Sequence, residues 1–133
     1  MAEAPVLIGI DIGTTAVKAV MVAPDGAVLA DYAGQHATTR AAAGHAVQDP
    51  AIWLDHVQKA LAQFAAHPRA GQVGAIGITS QVNTHCFCDA SLTPLAPAIT
   101  WQDTRAGAEA AQLDAQLSSA AKTSALGAPI PID

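Results

Sequence analysis

Charge is scarce in this sequence. Only 13% of its residues are Asp, Glu, Lys or Arg, roughly half the share of about 25% found in ordinary soluble domains. The six bases, Lys18, Arg40, Lys59, Arg69, Arg105 and Lys122, are scattered, and the net charge is −5. No basic stripe exists to track a phosphodiester backbone, so nucleic acid is excluded as the expected partner. Aromatic residues are few, at 4%. Apolar runs are short, and none approaches the 18 to 20 or so residues needed to span a bilayer. The N-terminal Met1-Ala-Glu-Ala-Pro5 lacks the positive segment of a secretory signal. There are only two cysteines, Cys86 and Cys88, which excludes a disulfide framework. A reducing cytoplasm is the compartment that follows.

What is present is apolar. Hydrophobic residues make up 51% of the 133 residues, and the mean hydropathy is +0.29. A chain this long is one domain with a real core, not a disordered tail. So little charge also predicts that part of its surface meets another domain or a second copy.

The order of elements can be read from the apolar pattern. Val6–Gly13, Ala16–Val22 and Ala27–Ala33 read as three strands of an antiparallel meander, with Pro24-Asp25-Gly26 as the second turn. Residues 34–48 read as loop. Asp49-Pro50 is an N-cap followed by a first-turn proline. Trp53, Val57, Leu61 and Phe64 then recur at helical spacing up to about His67-Pro68. Val73–Ile78 reads as a fourth strand, buried on both faces. Two short strands, Thr84–Asp89 and Ala96–Trp101, are expected around a turn at Ala90–Pro94. A last long helix, capped by Asp103 or Thr104, would bury Ala106, Ala110, Leu113 and Leu117. Residues 127–133 read as extended chain. Three strands, a helix and a strand open a ribonuclease H-like α/β fold, and the loops must decide whether that order is meaningful.

The first informative loop is Asp11-Ile-Gly-Thr-Thr15, between two antiparallel strands. Gly13 lets the chain turn tightly beside an anion. The amides and hydroxyls of Thr14 and Thr15 can donate to phosphate oxygens. Asp11 can hold hydrated Mg²⁺ through water, and Lys18 can add positive charge near a terminal phosphate. The same residues also make an ordinary hairpin with a polar tip. There is no Walker A loop and no GxGxxG.

Ile8-Gly-Ile-Asp-Ile-Gly-Thr-Thr-Ala-Val-Lys18 resembles the first phosphate motif of the FGGY carbohydrate kinases, which belong with actin and the heat-shock chaperone ATPases. Ile76-Gly-Ile-Thr-Ser-Gln81, Pro97-Ala-Ile-Thr-Trp-Gln-Asp-Thr-Arg105 and the stretch from Gln48-Asp-Pro50 to Trp53 extend the resemblance, at matching spacing, to about Leu126. The resemblance implies a ribonuclease H-like mixed sheet with flanking helices, present as its incomplete N-terminal portion. It implies ATP and Mg²⁺ at Asp11, Gly13, Thr14, Thr15 and Lys18. It further implies sugar or polyol contacts from Gln81, Val82, Asn83, Trp101 and Asp103. Xylulokinases usually have Met-His, and glycerol kinases Arg-Glu, where this chain has Val82-Asn83. The substrate class is therefore better defined than the substrate, with a ketose such as xylulose favoured. Trp101 beside Gln102, Asp103 and Arg105 suits a sugar platform, although Asp103 serves equally as a helix cap and Arg105 as its ion-pair partner.

In the resembling family the catalytic Asp, the second phosphate loop and the adenosine pocket come later in the chain. Residues 1–133 are accordingly expected to be the N-terminal part of domain I, with no catalytic residue of their own and no turnover alone. The rest of the kinase is the implied partner, and a free sheet edge would also allow a homodimer. The alternative is a stand-alone lobe that binds a ligand or partner without turnover. An actin-like or chaperone-like ATPase is the third reading, and the sugar platform at Trp101 argues against it. The five histidines lack tight ligand spacing. The nearest metal cluster, His85 with Cys86 and Cys88, is outweighed by the reading of both cysteines as small buried apolar residues.

Overall fold

The computed structural model describes residues 5–118, 120, 121 and 124. The expectations for residues 127–133 lie outside the described residues. Three strands, β1 (Val6–Ile12), β2 (Ala16–Val22) and β3 (Val28–Gln35), form the expected antiparallel meander. A two-residue strand, β4 (Val47–Gln48), leads into helix α1 (Pro50–Ala65). Strand β5 (Val73–Ser80) then returns parallel to β1, giving the sheet order β3-β2-β1-β5. Strand β6 (Ala98–Ile99) pairs with β4, and α2 (Gly107–Gln116) follows. This mixed sheet with a crossover helix is the ribonuclease H-like opening that the element order predicts.

Alternation along the strands creates the core. Val6, Ile8 and Ile10 of β1 and Val17, Ala19 and Met21 of β2 are buried on one sheet face. Helix α1 lies over that face and adds Ala60 and Phe64, with Trp53, Val57 and Leu61 packed at the margin. Asp49 caps the helix by accepting from the Ala51 amide at 2.9 Å. The helix seats so closely on β3 that a Cβ at Gly34 would overlap the His56 ring. His56 Nδ1 accepts from the Tyr32 hydroxyl at 2.7 Å, and its Nε2 donates to the Gln35 carbonyl at 3.2 Å. Gln63 Nε2 donates to the Asp31 carbonyl at 2.9 Å. These bonds fix the rotation of α1 about its axis.

Several expectations are corrected. β5 is not buried on both faces. Ile76 and Ile78 are 50% and 68% exposed, because α1 packs on β2 and β3 and nothing covers the β5 edge among the described residues. The segments 84–89 and 96–101 do not form two strands. They meet through isolated bridges, His85 with Ile99 and Cys88 with Pro94, plus β6. Pro94 and Pro97 each lack an amide for the ladder. Helix α2 starts four residues after Asp103. Ala106 is its N-cap and has no side-chain bond, so neither Asp103 nor Thr104 caps it. Its expected buried stripe is exposed, with Leu113 at 61%. Both cysteines are exposed as well.

No helix among the described residues is long and apolar enough to cross a membrane. Phe64, 1% exposed, is the largest fully buried side chain. Phe64→Ala is expected to lower unfolding stability by about 3–5 kcal/mol, measured by urea denaturation.

Candidate functional site

The β1–β2 hairpin forms one wall of the site. The Gly13 amide donates to the Ala16 carbonyl at 3.0 Å and closes the turn. A Cβ at Gly13 would lie 3.1 Å from that carbonyl oxygen and 3.4 Å from Asp11 Oδ2, tighter than a side chain easily tolerates. Gly13 thus shapes the turn, and its own amide is already used. No hydrogen bond among the described residues takes up the amides of Thr14 and Thr15. Asp11 and Lys18 are register partners across the two strands. Both are exposed, and neither side chain is bonded among the described residues. Thr79 of β5 is the register partner of Asp11 on its other side. Together Gly9, Asp11, Lys18, Val20, Gly77 and Thr79 line much of a cavity of about 500 Å³. Its floor is open because two glycines pair there.

Gln48 joins this hairpin to everything else. Its side chain is 2% exposed. Nε2 donates to the Thr14 carbonyl and to Thr38 Oγ1, both at 2.7 Å. Oε1 accepts from Trp53 Nε1 at 3.1 Å and from Gln81 Nε2 at 2.9 Å. A carboxamide has two N–H donors and two acceptor lone pairs, and all four are engaged. The backbone adds a further tie, since the Gln81 amide donates to the Ile12 carbonyl at 2.9 Å. The start of the loop after β5 is therefore held against the end of β1. The sequence marks Gln48 only as the first residue of the stretch to Trp53 that carries part of the family resemblance, ahead of the cap of α1. A lone glutamine before an N-cap carries no periodicity that would reveal a hub.

The expected substrate residues divide. Gln81 turns its amide inward, and its Oε1 is buried without a donor among the described residues. Val82 is 70% exposed, and Asn83 holds a left-handed φ of 51° at the loop tip. Trp101 is half exposed, and its Nε1 donates to Thr14 Oγ1 at 3.0 Å. Thr14 thereby touches Gln48 through its carbonyl and Trp101 through its hydroxyl, while its own O–H remains a donor. Trp101 is placed by the pairing of β4 with β6 and by Thr100. Both the Thr100 amide and its Oγ1 donate to the Ala46 carbonyl, at 3.0 and 2.9 Å.

Asp103 is structural in its present contacts. Its side chain is 2% exposed and pairs with Arg105 at 2.6 Å. It also accepts from the Ala46 amide at 2.7 Å and the Arg105 amide at 3.1 Å. The hydrogen bond from Arg105, helped by these amides, holds its carboxyl well below the usual carboxylate range. His36 lies beside the hairpin, with its amide donating to the Thr15 carbonyl at 3.1 Å and its ring edge-on to Trp53. Burial pushes its pKa down, against a raising contribution from the Gly13 backbone. Among the described residues no group of three or more His, Cys, Asp or Glu side chains is placed to hold a metal ion.

A tight hairpin with free amides, exposed Asp and Lys side chains and an adjoining indole is a donor set chemically suited to an anion such as phosphate. Comparison with known proteins gives the chain a family. Residues 6–131 match the N-terminal domain of the FGGY family of carbohydrate kinases. The chain is 33% identical over 111 residues to the xylulose kinase of Klebsiella pneumoniae, covering 84% of this chain and 23% of that one. It is 34% identical over 119 residues to the glycerol kinase of Nitrosomonas eutropha, covering 87% and 24%. Among solved structures, the xylulose kinase of Rhodospirillum rubrum superposes with a TM-score of 0.81 at 30% identity, over 89% of this chain and 25% of that chain. This chain belongs to the FGGY family of carbohydrate kinases, and it spans about a quarter of the length of these relatives.

Two outcomes follow. Gln48→Leu strands four half-buried partners around a buried position and is expected to cost about 3 kcal/mol in a urea unfolding experiment. Acid should also destabilise the fold in a defined window. Asp103 has a depressed pKa in the folded state, so its stabilisation is complete above the ordinary carboxylate value of about 3.9 and is lost as pH falls below it. Asp103→Asn should flatten the stability profile below about pH 4, measured as the urea midpoint against pH.

Proposed function

We propose that this chain is the N-terminal part of domain I of an ATP-dependent carbohydrate kinase, which phosphorylates a hydroxyl of a ketose or polyol, with a xylulose-type ketose favoured. The observation that carries the proposal is the junction at Thr14. One residue of the phosphate-type hairpin is bonded both to the exposed indole of Trp101 and, through Gln48, to the loop that begins at Gln81. A phosphoryl group and its acceptor must meet in one place, and this junction fixes the two surfaces together.

The residues present fit a nucleotide phosphate. Thr14 and Thr15 offer unused amides and hydroxyl donors at the hairpin tip, and Lys18 offers a compact positive charge. Asp11, exposed and unbonded among the described residues, is the acceptor for the water shell of Mg²⁺. When bound, that ion neutralises charge on the phosphates during transfer. Gly13 keeps the turn tight enough for Asp11 and the threonines to share one edge. On the acceptor side, Trp101 provides an apolar face for a sugar ring, and Asn83 a donor and acceptor for hydroxyls. The buried Oε1 of Gln81 is an acceptor waiting for a donor. Val82 contributes packing. Asp103 acts here through position, holding the Trp101 segment against Ala46.

None of these groups serves as general base, and Asp11 is not assigned that role. The base and the nucleotide's remaining contacts are proposed to come from the rest of a longer protein, in keeping with the quarter-length coverage of its relatives. The exposed Ile76 and Ile78 fit the same reading, as surface for that remainder to cover. A reducing cytoplasm, where ATP is abundant, is the compartment this reading supposes.

ADP release by the longer protein, given ATP, Mg²⁺ and a panel of ketoses and polyols, tests the proposal. Sugar-dependent release is expected, with Asp11→Ala reducing it about 100-fold or more, and the 133-residue chain alone is expected to show none. No release above background with any sugar would overturn it and leave a non-catalytic binding lobe, in which Asp11→Ala would leave partner binding intact.

A further inference from the structure

Cys86 and Cys88 lie outside the site described above. Both are free and exposed, and their sulfurs are 3.6 Å apart. They flank Phe87, and the contact between their sulfurs places both side chains on one side of the chain. The backbone around them is fixed. His85 and Ile99 exchange two hydrogen bonds of 2.9 Å, the Leu95 amide donates to the Phe87 carbonyl at 2.8 Å, and the Asp89 amide donates to the Thr93 carbonyl at 3.0 Å. Asp89 Oδ1 further accepts from the amides of Ser91 and Thr93, which stiffens the turn. These bonds fix the backbone from which both side chains project.

That separation selects a chemistry. A disulfide needs sulfurs about 2.05 Å apart and Cα atoms seldom more than about 6.8 Å apart. From 3.6 Å the sulfurs would have to close by roughly 1.5 Å to form that bond. A tetrahedral zinc-type ion binds each thiolate at about 2.3 Å, which places two sulfurs about 3.8 Å apart. The pair meets the second requirement with almost no movement.

We propose that Cys86 and Cys88 form a two-thiolate chelate for a thiophilic divalent metal ion of the zinc or cadmium type. Each ion bound forms two metal–sulfur bonds and releases two protons, with no change of oxidation state. Water or an added ligand fills the remaining positions, since no third His, Cys, Asp or Glu joins the pair among the described residues. Thiols bind such an ion only as thiolates, so the ion must displace protons and binding strengthens as pH rises. The site is open, exchangeable and independent of the kinase reading.

Cadmium titration of the reduced 133-residue chain, followed by thiolate-to-metal charge-transfer absorption, is the test. Expected are saturation at one ion per chain, affinity rising with pH, and no change in His85→Ala. Cys86→Ser and Cys88→Ser should each weaken binding about 100-fold, because the second sulfur acts at high effective concentration. Blocking both thiols of the folded wild-type chain with iodoacetamide should abolish the signal without any substitution. Absence of a saturable signal would overturn the proposal, as would single variants that each keep the wild-type affinity.

Discussion

The carboxamide of Gln48 is the fixed point of this structure. It is buried, and its two donors and two acceptors are all used, on Thr14, Thr38, Trp53 and Gln81. A buried amide with one partner missing is expensive, because the orphaned group has left water and found nothing in return. That penalty makes the arrangement all-or-none. The hairpin tip, the first turns of α1 and the end of β5 are held in register by one side chain. Each has its own local reason to exist, and Gln48 adds the side-chain link among them to the β1–β5 ladder and the bond from the Gln81 amide to the Ile12 carbonyl. Trp101, bonded to the Thr14 hydroxyl, then inherits its place from the same point.

The rest of the fold supports that point from two sides. Below it, α1 is locked to β3 by Tyr32, His56 and Gln63, and to β1 and β2 by Phe64 and its apolar neighbours. Beside it, the β4–β6 ladder and the Asp103–Arg105 pair, its carboxylate covered and its guanidinium partly exposed, hold the segment that carries Trp101. An ion pair that reaches the surface adds little net stability, and its clearer consequence here is positional. Asp103 accepts from the Ala46 amide while paired to Arg105, so the strand pairing and the turn after Trp101 are bound to one carboxylate.

Low charge and an uncovered sheet edge are two aspects of one fact. The β5 edge presents Ile76 and Ile78, and the opposite face carries an apolar groove that ends at Asp11 and Lys18. Relatives in the FGGY family are about four times as long as this chain. Among the described residues nothing covers Ile76 and Ile78, and the Thr14 and Thr15 amides have no partner. Xylulose and glycerol kinases are similar to it at nearly equal identity. Identity to relatives therefore does not choose between the two kinds of kinase.

Much was determined by the sequence itself, and for a physical reason: those features are local. The meander follows from β-branched runs broken by turn residues, and the start of α1 from Asp49-Pro50. The Asp11 to Lys18 hairpin carries its chemistry in eight consecutive positions. Motif spacing was enough to indicate the family and the ribonuclease H-like order. What tertiary structure decided is whatever depends on contact between distant segments. Gln48 became a hub because its four partners lie 5 to 34 residues away in the chain. Asp103, readable as a helix cap or an ion-pair partner, became the latter, because α2 begins too late for it to cap. β5, apolar enough to look buried, is exposed because hydrophobicity says that a strand seeks cover, while only packing says whether α1 reaches it. The cysteines were misjudged as buried for the same reason, since a small apolar residue has no local signal for which side of a hairpin it will face.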